Sequence, residues 1–98
     1  MVSKNLQKFY INGEWVEPIS KQRFGVENPA TEEIVGEIAL GSTADADKAI
    51  AAARAAFDAW TVKPVKERIA VVKRILDAYN ARAEDFAVAM STEMGAPI

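Results

Sequence analysis

The chain reads as an α+β unit, with two N-terminal β-hairpins followed by two or three α-helices, and three observations predict it. Short aromatic and β-branched runs occupy the chain up to Leu40, apolar residues recur at spacings of three and four after Gly41, and turn-forming residues fall at the junctions. At 98 residues, half of them apolar and 27% charged, the composition is that of a soluble globular domain. A chain this long buries roughly two thirds of its unfolded surface on folding. No repeat, low-complexity tract or Pro/Gly/Ser-rich linker divides it, so residues 1–98 read as one unit, with hairpins over 1–41 and helices over 42–98.

Lys8 to Glu17 predicts the first hairpin. Phe9, Tyr10, Ile11, Trp15 and Val16 suit a pleated surface, and Asn12-Gly13 between them accepts the positive φ angles of a two-residue turn. Arg23 to Glu27 and Ile34 to Leu40 predict the second, turned by Asn28-Pro29-Ala30-Thr31. Ile34, Gly36, Ile38 and Leu40 alternate imperfectly.

From about Ala44 to Trp60 a helix is expected, with Ser42 or Thr43 as its N-cap and Asp45 and Asp47 placing negative charge in the first turn. Ala46, Ile50, Ala53, Phe57 and Trp60 form a stripe that predicts a core-facing side, while the other alanines let neighbouring elements approach closely. Pro64 suits the first turn of a second helix, whose stripe is Val65, Ile69, Val72, Leu76 and Tyr79. Asn80 permits a break, after which Ala83, Phe86, Ala87, Met90 and Met94 carry a third face that Gly95 and Pro97 close. Closed in that way with nothing after it, the chain is expected to be the opening stretch of something longer. Trp15 and Trp60 complete apolar patterns and are expected in the core.

Composition excludes several chemistries. There is no cysteine and no histidine, so the commonest nucleophile and base near neutral pH are absent, as are disulfides and thiolate metal sites. Gly13, Gly25, Gly36, Gly41 and Gly95 are too scattered for a phosphate-cradling loop. Glu32-Glu33, Asp45 with Asp47, and Glu84-Asp85 lie at turns or helix starts, where capping and surface charge account for them better than paired acid–base catalysis. The net charge of −2 conceals six basic residues against two acidic ones between Thr61 and Arg82. They occupy the polar face of an amphipathic pattern with no aromatic interleaved for base stacking, so a solvated helix surface is expected and nucleic-acid binding is not. Met1 to Asn5 lacks the apolar stretch of a signal peptide and no run is long enough to span a membrane, so a cytoplasmic location is expected.

Taken in order, Tyr10-Ile11-Asn12-Gly13-Glu14-Trp15-Val16 and Val26-Glu27-Asn28-Pro29-Ala30-Thr31 resemble the start of the aldehyde dehydrogenase superfamily. The succession continues through Ala44-Asp45, Ala49, Ala52-Ala53, Ala56-Phe57 and Trp60, then Glu67-Arg68, and closes on Glu93-Met94-Gly95-Ala96-Pro97. Glu32 stands where these enzymes often carry glycine, and Ala96 where lysine is common. The resemblance implies a parent enzyme that oxidises aldehydes to carboxylic acids, passing a hydride to NAD or NADP through a thiohemiacetal on a cysteine. The family's cysteine, glutamate, asparagine and cofactor loops lie beyond the matched region. No catalytic or cofactor-binding residue is therefore assigned in this chain, which is expected to be scaffold for the cofactor-binding domain, inactive alone and without bound dinucleotide. Some members hold a monovalent cation with backbone carbonyls before the Asn-Pro turn and a carboxylate ending the third helical segment, which maps to Val26, Glu27 and Glu93. Glu93 replaces the aspartate that members typically present. The expected partners are the remainder of the enzyme or, through uncovered apolar surface and free strand edges, a second copy; the alternative is a stand-alone interaction module.

Overall fold

Two separate hairpins open the chain. The computed structural model describes residues 5–98, so the leader reading of Met1 to Asn5 falls, apart from Asn5, outside the described residues. β1 (Phe9–Ile11) pairs antiparallel with β2 (Glu14–Val16), and Asn12 and Gly13 turn between them at φ angles of 53° and 79°. A two-residue turn with both φ positive matches the right-handed twist of its strands. Tyr10 and Trp15 sit directly opposite each other with ring centroids 5.2 Å apart in an edge arrangement. Trp15 is nonetheless half-exposed, so its role is this cross-strand contact and not the core packing its pattern suggested.

β3 (Arg23–Asn28) pairs antiparallel with β4 (Glu33–Ala39) in a second, independent sheet. Pairing slips between Val26 and Glu27: Val26 opposes Gly36 while Glu27 opposes Ile34, leaving Val35 as the extra residue of a β-bulge. The bulge explains the imperfect alternation of β4. Ile34 lies over Gly25, where an added Cβ would stand 3.3 Å from its Cδ1, while Val35, Gly36 and Ile38 share the face of Val26.

Three helices follow. α1 (Thr43–Thr61) starts at Ser42, whose hydroxyl accepts from the Asp45 N–H while the Asp45 carboxylate accepts from the Ser42 N–H, a reciprocal capping box. α2 (Val65–Ala81) starts at Pro64, which serves as the N-cap itself, its carbonyl accepting from Glu67 and Arg68. The break before α3 (Ala83–Met94) falls at Arg82, at φ −118° and ψ 18°, two residues later than Asn80 suggested. Gly95 closes α3 in the left-handed region and its N–H donates to the Ser91 carbonyl.

Packing is sparse and local. The first hairpin rests on the N-terminal half of α1, Phe9 covering Gly41 at a distance where an added Cβ would lie 3.4 Å from its ring. Beside the turn, Tyr10 to Gly13 face Ala49, Ala52, Ala53 and Ala56. The alanine side of α1 is thus the side an element covers, because small side chains let a backbone turn come near. The bulky stripe is not: Ile50 is 65% exposed and Phe57 52%. Trp60, at the end of that stripe, is partly exposed as well, which corrects its expected place in the core. All five stripe residues of α2 are at least half-exposed. α3 meets the second hairpin through Asp85, Phe86, Val88, Ala89 and Thr92, so the expected face takes part through Phe86 while its Met90 and Met94 are exposed.

Periodicity thus located apolar faces whose large side chains stay at least partly exposed, although Tyr79 of α2 meets Phe86 of α3 with ring centroids 4.9 Å apart. Among the described residues only Ala39 and Asp45 are buried, and neither completely. The radius of gyration is 16.9 Å, against about 13 Å for a compact chain of this length. Accessible surface is 7854 Å², where about 5,500 Å² is usual for the mass.

Candidate functional site

The second hairpin and α3 enclose the region to which the cation ligands were mapped. Asn28 shapes it as an acceptor: its side-chain oxygen takes the Ala30 N–H at 2.9 Å and its carbonyl takes the N–H groups of Thr31 at 3.3 Å and Glu32 at 2.8 Å. Glu32 completes the turn at φ 58°, in the left-handed region. Gly95 then seats the end of α3 on this turn, since a Cβ there would stand 3.0 Å from the Ala30 nitrogen. Only a residue without a side chain both takes its φ of 70° and allows that approach.

A cavity of about 290 Å³ lies between the sheet and the helix, lined chiefly by apolar groups of both. Val26 and Glu93 both border it, whereas Glu27 is exposed and is not part of its wall. Among the described residues no three His, Cys, Asp or Glu side chains gather as a metal site.

The best-connected polar group is elsewhere and was missed as such. Asp45 is buried, and its Oδ1 accepts from the Ile19 N–H at 2.7 Å. Its Oδ2 accepts from the N–H groups of Ser20 and Ser42 and from the Ser42 hydroxyl. The Ser42 N–H foremost, then that of Ile19, hold the carboxyl well below the usual carboxylate range, with desolvation opposing them. Ser42-x-x-Asp45 is a legible capping spacing, but nothing local signals that the same carboxylate ties down residues 19 and 20. Its function is structural: it fastens the connection between the hairpins to the start of α1.

Of the other groups, the basic residues of the 61–82 stretch are exposed except Arg68, which is half-buried. Among the described residues, no helix is long and apolar enough to cross a membrane.

The architecture that holds these groups is shared with known enzymes. The aldehyde dehydrogenase family profile matches residues 15–98, and the chain belongs to that family. A crystal structure of an aldehyde dehydrogenase from Bartonella henselae superposes with a TM-score of 0.90 at 48% identity, covering 93% of this chain and 19% of that one. Aldehyde dehydrogenase C of Pseudomonas syringae, solved as a mutant with NAD+ and octanal, is 46% identical with a TM-score of 0.88 over 90% of this chain and 18% of its own. An aldehyde dehydrogenase of Mycobacterium tuberculosis complexed with NAD+ gives a TM-score of 0.85 at 38% identity, over 93% and 19% respectively. Among curated proteins, a Staphylococcus aureus (strain bovine RF122 / ET3-1) relative, itself only provisionally named an aldehyde dehydrogenase, is 44% identical over 97% of this chain. The chain spans 20% of that relative's length.

Proposed function

We propose that the chain serves as the N-terminal structural segment of an enzyme that oxidises an aldehyde to a carboxylic acid, with NAD or NADP accepting the hydride. One observation carries the reading: a family match across nearly the whole chain coincides with a chain that holds neither cysteine nor histidine. The thiolate that the reaction needs belongs to other sequence, so this segment contributes shape. The two hairpins and α1 to α3 form one unit of the cofactor-binding domain, acting in the cytoplasm. The bound NAD+ of the Pseudomonas syringae and Mycobacterium tuberculosis structures supports a dinucleotide in the parent. It would supply the hydride acceptor, and no residue of this chain is assigned to hold it. Val26 and Glu27 carbonyls with the Glu93 carboxylate would hold a monovalent cation that braces the end of α3 against β3; the shared cavity of Val26 and Glu93 supports this.

The test is split-enzyme complementation. The purified 98-residue chain is expected to form no NADH from aldehyde and to show no heat of NAD+ binding, while co-expression with the remaining four fifths of a homologous aldehyde dehydrogenase restores turnover. Turnover or dinucleotide binding by the chain alone would overturn the reading.

A further inference from the structure

The turn of the first hairpin carries an inference beyond that reading. Asn12 and Gly13 are both exposed, and a Cβ added at Gly13 would meet nothing within 4 Å. Among the described residues, none is hydrogen-bonded to the Asn12 side-chain amide or to the Gly13 N–H. A free amide thus stands beside a peptide nitrogen that no side chain shields. The surroundings let the two meet. β1 and β2 have three residues each and pair only with one another. A two-stranded hairpin of this kind is marginal in water, so its turn opens locally at small cost. On α1 the turn faces Ala49, Ala52, Ala53 and Ala56, which offer little side chain to hold it shut.

The other asparagines each lack part of this arrangement. Asn28 precedes Pro29, which has no N–H to lose, and its side-chain oxygen is held by the Ala30 N–H. Asn80 lies in α2, where the helix ladder takes the next N–H, that of Ala81. Asn5 precedes Leu6, whose branched side chain crowds the nitrogen. We propose that Asn12 is a site of spontaneous covalent modification in this chain, deamidated through attack by the Gly13 nitrogen. Hydroxide removes the Gly13 N–H proton, and the nitrogen attacks Cγ of Asn12. The N–Cγ bond forms as the Cγ–Nδ2 bond breaks, and Nδ2 takes up a proton and leaves as ammonia. Water then opens the five-membered imide. Breaking the new N–Cγ bond leaves aspartate, whereas breaking the original peptide bond leaves isoaspartate, with the main chain running through Cγ. Either product adds one carboxylate, so the formal net charge passes from −2 to −3. Aspartate keeps the chain length and tolerates a φ of 53°. Isoaspartate puts an extra methylene into a two-residue turn, which displaces Tyr10 from its place opposite Trp15.

Incubating the purified 98-residue chain in mildly alkaline buffer tests this without any enzymatic assay. Ion exchange is expected to show a more acidic species growing over days to weeks, faster as pH rises because the attacking nitrogen must lose its proton. Peptide mapping should place aspartate and isoaspartate together at position 12, and the isoaspartate form should melt lower than the aspartate form. Asn12→Gly removes the amide while keeping a residue suited to positive φ at both turn positions. That variant should lose the acidic species, with far-UV circular dichroism establishing that it folds as the parent does. A parent chain that gains no acidic species overturns the proposal, as does conversion that maps first to Asn5 or Asn80. So does an Asn12→Gly chain that acidifies at the parent's rate, or a rate indifferent to pH. Aspartate formed without isoaspartate would mean direct hydrolysis and overturn the ring closure, and equal melting of the two product forms would overturn the displacement of Tyr10.

Discussion

Among the described residues, two other than glycine occupy the left-handed region, Asn12 at φ 53° and Glu32 at φ 58°. They differ in what they lose by it. The short side chain of asparagine tolerates this backbone, and Asn12 is placed for its turn, but glutamate carries the full steric cost of about 1–2 kcal/mol. Part of that cost returns when glycine replaces it, less the greater freedom glycine adds to the unfolded chain. Glu32→Gly is therefore expected to stabilise the chain by about 0.5–1 kcal/mol. Gly95 presents the converse: its φ is 70° and an added Cβ would press on the Ala30 nitrogen, so Gly95→Ala should destabilise by at least about 1–2 kcal/mol. Thermal unfolding of both variants should show opposite shifts. A Glu32→Gly chain that melts lower than its parent would refute the strain argument.

At the scale of elements, what could be read in advance was local, and what could not was relational. Asn12-Gly13, Ser42 three residues before Asp45, Pro64 and Gly95 each declare a turn or helix end through their own backbone preferences, and each acts within a residue or so of its expected place. Apolar spacing identified three amphipathic helices but could not tell which side would be covered. On α1 the turn of the first hairpin chose alanines over Ile50 and Phe57, and on α3 the bulged sheet chose the Val88 side over Met90. The bulge at Val35 depends on pairing between strands, so alternation along β4 alone shows only that something is irregular. Of the cation set, the neighbourhood of Val26 and Glu93 followed from the family resemblance and not from any spacing, since it joins β3 to the last turn of α3. Asp45 combines both kinds of information: its cap is local, while its bonds to Ile19 and Ser20 reach back 26 and 25 residues. That reach has a measurable consequence. A carboxyl whose folded pKa lies below its unfolded one contributes stability that is fully present above about pH 4 and is lost as pH falls further toward the folded value. The melting temperature is expected to fall below that pH more steeply in the parent chain than in Asp45→Asn, so that the stability gap between them narrows. A gap that stays constant down to about pH 2 would mean that the ionised form contributes nothing.

For the whole molecule, the governing quantity is surface that folding leaves unburied. The denaturant dependence of unfolding scales with the surface newly exposed. A chain that keeps 7854 Å² accessible when folded has less left to expose. Compared with a compact chain of the same mass, the deficit is about a quarter of the usual change, and the urea m-value of a monomeric Leu76→Lys chain should fall short by about that fraction. Were the parent chain to pair with a second copy, that copy would take surface out of water. At concentrations where it associates, its m-value per chain should rise toward that of a compact domain, and its urea midpoint should move upward with protein concentration, since unfolding then also separates the partners. Leu76 is half-exposed in the isolated chain, so replacing it should alter this concentration dependence far more than it alters the stability of the dilute monomer. Urea titrations of both chains at two concentrations distinguish the cases. If the parent and Leu76→Lys chains share one midpoint and one m-value at both concentrations, the exposed stripe of α2 is simply solvated, and the extended shape of the chain is its stable form in water.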